Sequence, residues 1–160
     1  MEDFIMTVVL ARIDQRLIHG LIVNQWAQSL KVKRFMVIDD ELSTNESIKA
    51  SMRMSKPAGT GMSIIDTQKA ITNFNAGKYD DQRVFVLVKE PETLIKLIDG
   101  GVKIPKIDLG IIFNENGRKP VSKFVALDDK ERQDLQTIQE KGIPLIIQYV
   151  PTDNEEEFKA

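Results

Sequence analysis

At 160 residues, 42% hydrophobic and 29% charged, the chain is long enough for one domain with a substantial core and short for two. A net charge of -2 argues against a general polyanion-binding role, nucleic acid included, and the lack of cysteine excludes a disulfide framework, a Cys-based zinc site and thiol catalysis. A single histidine excludes a His-rich metal site, no apolar run reaches the ~18–20 residues that span a bilayer, and the acidic start Met1-Glu2-Asp3 has the wrong sign for a secretory leader, so a cytoplasmic protein is expected.

The run Phe4 to Ala11 is apolar without strict alternation, which suits a strand buried on both faces of a parallel sheet. From Gly20 the period becomes helical, with Leu21, Ile22, Val23, Trp26, Ala27 and Leu30. Phe35 to Ile38 reads as a second buried strand leading into Asp39-Asp40. Ser43-Thr44-Asn45-Glu46 reads as a capping box before a helix with Ile48, Met52 and Met54 inward, ending before Pro57 and Gly59.

Met62 to Ile65 is the third strand, and Asp66 caps a helix carrying Ala70, Ile71 and Phe74 that Gly77 closes. Val84 to Val88 is the fourth strand, and Pro91 takes the first position of a helix that buries Leu94, Ile95, Leu97 and Ile98 before Gly100-Gly101. Ile107 to Phe113 is the fifth. Asn116-Gly117 then signals a tight reversal, so the strand Pro120 to Leu127 is expected to run antiparallel. Asp128 and Glu131 open a last helix with Leu135 and Ile138 inward, Leu145 to Val150 is the final strand, and Pro151 to Ala160 reads as a loose acidic tail.

Strands alternating with helices predict an α/β fold: one domain over 1–160 with an open, mainly parallel sheet of about seven strands, one of them antiparallel, and helices on both faces. In such folds the working loops lie at the carboxyl ends of the strands, near the point where strand order reverses. The segment after the first strand, Arg12 to His19, combines two arginines, an aspartate and the only histidine. Arg12 and Arg16 can be a fork for a phosphoryl or carboxylate group, or surface charges paired with Asp14. Asp14 can cap the turn or orient the imidazole. Gly20 allows close backbone approach, and the following helix can aim free amides at whatever sits on His19.

Asp39-Asp40, Lys89-Glu90 and Asn114 leave other strands toward the same edge, the aspartate pair reading as a loop feature rather than a metal site. No P-loop, dinucleotide fingerprint or Gly-x-Ser-x-Gly elbow is present. If His19 acts, nucleophilic attack by the imidazole itself is the economical reading.

The segment Ala11-Arg12-Ile13-Asp14-Gln15-Arg16-Leu17-Ile18-His19-Gly20 resembles the phosphorylation-site motif of the IIB subunits of the mannose/fructose/sorbose family of the phosphoenolpyruvate-dependent sugar phosphotransferase system. The resemblance continues through Val37-Ile38-Asp39-Asp40-Glu41, Lys56-Pro57-Ala58-Gly59, Ile107-Asp108-Leu109-Gly110 and Gln148-Tyr149-Val150-Pro151-Thr152-Asp153. Leu21-Ile22-Val23-Asn24 departs from it, since members commonly carry Gln-Val and a small residue there.

The resemblance implies a phosphocarrier, a component of a protein-N(pi)-phosphohistidine–sugar phosphotransferase. A IIA protein would phosphorylate His19, with Arg12, Asp14 and Arg16 at the matching charged positions. The group would then pass to a sugar held by the membrane subunits IIC and IID, with no cofactor or metal. The chain would sit in the cytoplasm against the inner face of the membrane, with room for a homo-oligomer. Leu17, Ile18 and Trp26 are candidates for an apolar docking face, with Trp26 as readily a core residue. A flavodoxin-type ligand-binding module, or a regulator whose docking depends on phosphorylation of the same histidine, fits the residues too.

Overall fold

The computed structural model describes residues 6–160, so the strand reading at Phe4 and Ile5 lies outside the described residues. The strands are β1 (Val8–Asp14), β2 (Arg34–Ile38), β3 (Gly61–Ile65), β4 (Val84–Val88), β5 (Ile107–Ile111), β6 (Lys119–Pro120), β7 (Ala126–Leu127), β8 (Leu145–Ile147) and β9 (Glu156–Glu157). The helices are α1 (Ala27–Leu30), entered through a π-helical turn at Ile22–Trp26, α2 (Glu46–Met54), α3 (Thr67–Asn75), α4 (Pro91–Asp99) and α5 (Asp129–Glu140).

The main sheet has the order β3-β2-β4-β1-β5-β8-β9, all parallel except β9 against β8. The chain leaves β1 toward β2 on one side, while the strands after β5 build outward on the other. The order therefore reverses between β1 and β5, and the crevice at their carboxyl ends is the expected place for a site. Two apolar layers cover the sheet. Ala70, Leu94, Leu97, Leu135 and Ile138 bring α3, α4 and α5 onto one face, and Ile22, Trp26 and Ala27 bring the π turn and α1 onto the other. The expected mainly parallel sheet with helices on both faces is what forms.

Several local signals hold. Asp66 Oδ1 accepts from the Lys69 amide, Pro91 opens α4, and Asp128 and Glu131 complete a reciprocal capping box on α5. Asn116 and Gly117 have φ of 56° and 81°, the reversal an Asn-Gly pair favours.

Other expectations are corrected. The cap of α2 is Asn45, whose Oδ1 accepts from the Ile48 amide at 3.1 Å, because the hydroxyls of Ser43 and Thr44 turn back onto the Asp40 and Glu41 carbonyls. On α2, Ile48 and Met54 are exposed and only Met52 packs against the core. The segment Pro120 to Leu127 is not a strand of the main sheet; its ends pair as the small ladder β6–β7, and Val125 bridges Ile112. The antiparallel strand of the main sheet is β9, in the tail expected to be loose. Phe158 pins that tail: it is buried, its ring lies 5.7 Å from the Arg132 guanidinium, and its carbonyl accepts from the Gln139 side chain. β5 and β8 stop at Ile111 and Ile147, short of Phe113 and Val150.

Candidate phosphoryl-accepting site

The first strand runs three residues further than its apolar run suggests. Arg12 and Asp14 therefore stand on β1, not in the loop after it. Successive strand residues face opposite sides of the sheet, so Leu10, Arg12 and Asp14 share the face on which Trp26 packs. Both charges are fully buried, which excludes a surface pair.

The partner that makes this burial tolerable is Asp108, the residue beside Arg12 in the β1–β5 ladder. Arg12 Nη1 donates to Asp108 Oδ2 at 2.8 Å and to the Gln148 carbonyl at 2.9 Å, and Nε donates to Asp14 Oδ2 at 3.2 Å. Nη2 is buried without a hydrogen-bond partner, and the guanidinium carbon lies 5.1 Å from the centre of the Trp26 ring. Gly110 makes the space: a Cβ there would stand 2.3 Å from both Nε and the guanidinium carbon. Trp26 is itself 2% exposed and donates through Nε1 to the Tyr149 carbonyl. It is a core residue that floors the site.

Asp108 enters the sequence reading only within the Ile107-Asp108-Leu109-Gly110 stretch of the resemblance, with no role given to it. Its one signal is an acidic residue inside a continuous apolar strand, which is rare unless the charge is paired. Burial pushes its carboxyl up to about 7, against the opposing pull of Arg12 and the Gln148 amide. A carboxyl that binds its proton more tightly folded than unfolded stabilises the fold fully at acid pH. That contribution fades as pH rises from the ordinary carboxylate range through about 7. Asp108→Asn is accordingly expected to flatten the fall in stability over that window, read by urea unfolding at a series of pH values. An unchanged slope would show that Asp108 does not titrate there.

Beyond β1 the chain turns tightly. The Leu17 amide donates to the Asp14 carbonyl, the Arg16 amide to Asp14 Oδ1 at 2.9 Å, and Leu17 adopts φ of 56°. A left-handed conformation costs a leucine ~1–2 kcal/mol, and complete burial of its side chain holds it there. The turn delivers His19, whose Nε2 lies 2.8 Å from Asp14 Oδ2. A carboxylate can only accept, so this contact keeps the proton on Nε2 and leaves the lone pair on Nδ1. Asp14 is thus bonded by the His19 ring, the Arg12 guanidinium and the Arg16 amide.

The Arg16 side chain is exposed, with no ion pair among the described residues. Gly20 is exposed, and a Cβ there would meet only Asn24 at 3.7 Å, so the approach beside the histidine is open. The helix expected to start at Gly20 runs first as the π turn, with the His19 carbonyl accepting from Ile22 and Val23; such turns recur at functional sites.

The other residues at this edge serve different ends. Asp39 Oδ1 accepts from the Leu42 amide, and Asp40 Oδ1 from the Thr67 amide, a bond that holds the Asp40 carboxyl below its ordinary range. They are loop braces. Lys89 reaches 4.0 Å from Asp39, Glu90 precedes α4, and Asn114 is exposed. Among the described residues no cluster of three or more His, Cys, Asp or Glu could hold a metal ion.

Leu17 and Trp26 are buried and cannot form a docking face, while Ile18 is half-buried. Besides Ile48 and Met54 on α2, the exposed large apolar side chains among the described residues are Phe113, whose amide bonds the Gln15 side chain, and Phe124, which stacks on Tyr149 with ring centres 3.8 Å apart. That stack borders a recess of about 420 Å³ lined also by Gly110 and Gln148. A recess of about 450 Å³ around Met6, Phe74 and Val102 contains none of the charged groups of the site.

The chain is similar to known proteins over nearly its whole length. The sequence profile of the family described as "PTS system sorbose subfamily IIB component" matches residues 8–160. The chain is 29% identical over 155 residues to the sorbose-specific EIIB component of Lacticaseibacillus casei, covering 97% of this chain and 94% of that one. It is 32% identical over 148 residues to the mannose-specific EIIAB component of Escherichia coli K12, covering 92% of this chain but 46% of that protein, so it spans about half that relative's length. The IIBSor domain of the sorbose permease from Klebsiella pneumoniae superposes with a TM-score of 0.89 at 27% identity, covering 94% of this chain and 92% of that one.

Proposed function

This chain belongs to the sorbose subfamily of IIB components of the sugar phosphotransferase system, and on that premise we propose that it is a single-domain phosphocarrier whose acceptor is His19. The observation that carries the reading is the Asp14–His19 contact, because it holds the proton at Nε2 and presents Nδ1 as the nucleophile at the topological switch point.

Nδ1 of the neutral ring attacks phosphorus in line as the bond to the donor's imidazole nitrogen breaks, and the donor keeps that electron pair. The phosphorylated His19 ring, still carrying its Nε2 proton, becomes cationic, and Asp14 is placed to offset that charge. Transfer of this kind depends mainly on positioning and charge stabilisation. Arg16, exposed and without an ion pair among the described residues, is assigned to the phosphoryl oxygens. Arg12 is committed to Asp14 and Asp108 and is assigned to positioning, not to the phosphoryl group.

The donor is proposed to be a IIA protein or domain, a reading supported by the EIIAB relative, in whose name both functions are joined. The onward acceptor is a sugar bound by the membrane subunits IIC and IID. No helix among the described residues is long and apolar enough to cross a membrane, so the chain would meet those subunits peripherally at the cytoplasmic face.

The test is transfer itself. Radiolabelled phosphoenolpyruvate, the general phosphotransferase components and a cognate IIA should place an acid-labile, base-stable label on this chain, on the peptide that contains His19. A label elsewhere, or none, would overturn the assignment. Arg16→Ala should slow labelling about ten- to a hundredfold, a loss of ~1.4–2.7 kcal/mol in the transition state, with an unchanged unfolding temperature because the side chain is exposed. Equal losses of rate and stability would make it a structural arginine.

A further inference from the structure

We propose that Asp108 is a positioning residue for the transfer: through Arg12 it fixes the Asp14 carboxylate, and through that carboxylate the tautomer and orientation of His19. The proposal rests on His19 being the acceptor and extends that reading to a residue 89 positions away.

The chain of contacts is continuous and each link is charge-assisted. Asp108 is completely buried on β5 with both oxygens committed, Oδ2 to Arg12 Nη1 at 2.8 Å and Oδ1 to the Gln148 amide at 2.9 Å. The same guanidinium reaches Asp14 Oδ2 through Nε at 3.2 Å, and that oxygen also takes His19 Nε2 at 2.8 Å. Asp14 Oδ2 is therefore shared between a permanent cation and the ring whose tautomer it sets.

How much of that oxygen is left for the ring depends on what else Arg12 holds. Two buried carboxylates divide one arginine. With Asp108 ionised, the arginine's charge is split and Asp14 keeps enough negative character to hold the Nε2 proton and, after transfer, to face a cationic ring. With Asp108 neutral or removed, the guanidinium is left to Asp14 alone and competes with the imidazole for Oδ2. Gly110, two residues further along β5, leaves room for that geometry, since any side chain there would displace the guanidinium. The charged groups facing Asp108 are Arg12 and Asp14, both from β1; Gln148, just past the end of β8, presents its backbone amide.

Because His19 is the only histidine, imidazole ¹⁵N spectra of the full chain read this residue alone. In the unaltered protein the neutral ring should be in the Nε2–H form. Asp108→Asn keeps the size and the bond from Gln148 but turns an amide toward Arg12. It should lower the maximal rate of transfer from phosphorylated IIA about tenfold or more with the KM for IIA unchanged, and should shift the ring toward a mixed tautomer. Gly110→Ala leaves Asp108 in place and moves the guanidinium, and should produce the same two changes. Should Asp108→Asn not fold, Gly110→Ala and the pH titration of the unaltered protein decide. That titration should show the His19 nitrogen shifts responding to a second group near pH 7.

Unchanged nitrogen shifts in the folded variants, or His19 shifts that report a single ionisation, would overturn the coupling whether or not the chain is labelled. Absence of label on the unaltered chain, with the shifts behaving as expected, would instead remove the acceptor reading and leave the coupling in place.

Discussion

Replacing His19 with alanine is expected to abolish phosphoryl acceptance, by about 10⁴-fold or more, the scale on which loss of a nucleophile is felt when the rest of a site survives. The chain offers no substitute: it has no second imidazole and no thiol, and the groups linked to His19 are a carboxylate already bonded three ways and, through it, a guanidinium that cannot act as a nucleophile. The effect on folding should be small by comparison. Asp14 keeps its bonds from Arg12 and from the Arg16 amide, so the loss is one charge-assisted hydrogen bond, ~1.5–3 kcal/mol. Labelling from phosphorylated IIA and urea unfolding measure the two quantities on one sample. Undiminished labelling of His19→Ala would put the acceptor elsewhere.

Arg12→Leu should be the most destabilising substitution at the site, costing ~3–5 kcal/mol, a large share of the ~5–15 kcal/mol by which a folded domain is stable. It removes the cation that bonds two buried carboxylates, leaving Asp14 and Asp108 without it in a space that excludes water. Asp108 binds its proton more tightly folded than unfolded, so the deficit should shrink as pH falls from 7 toward 5 and that carboxyl becomes neutral. Removing a carboxylate as well, in Arg12→Leu with Asp108→Leu, should recover part of the loss at pH 7. Urea midpoints at the two pH values check both statements. A cost under about 1 kcal/mol, the range of an exposed pair, would show that water reaches the cluster.

Much of the fold was legible because its signals are local. The apolar runs at Met62 to Ile65 and Val84 to Val88 became β3 and β4 with matching bounds or nearly so, and Asp66, Pro91, Asp128 with Glu131, and Asn116-Gly117 each act within four residues of themselves. The site was half legible. Residue types and spacing singled out Arg12, Asp14, Arg16 and His19, but the hydrophobic pattern placed the two buried charges in a loop.

Charge inside a strand reads as the end of the strand unless its partner is known. Here the partners are Asp108, 96 residues from Arg12, and the Gln148 carbonyl, 136 residues away. Competition between neighbouring caps misled the reading of α2, since the hydroxyls of Ser43 and Thr44 had backbone carbonyls within reach and Asn45 took the cap. Four glutamates and aspartates at the end of the chain outweighed Phe158, the single large apolar residue that docks it.

The two long-range bonds of Arg12 also set when the support of Asp14 beneath His19 is complete. Arg12 meets Asp108 only after β5 has aligned beside β1, and meets Gln148 only after β8 has added to that edge. Bringing segments so far apart together costs chain entropy early and returns energy late. A chain that has formed its first strand and turn has His19 in place by sequence but Asp14 unsupported, so its imidazole is not held in one tautomer. On the proposed assignment of His19 as acceptor, reactivity at residue 19 is thus a property of the completed sheet, which a partly folded molecule lacks.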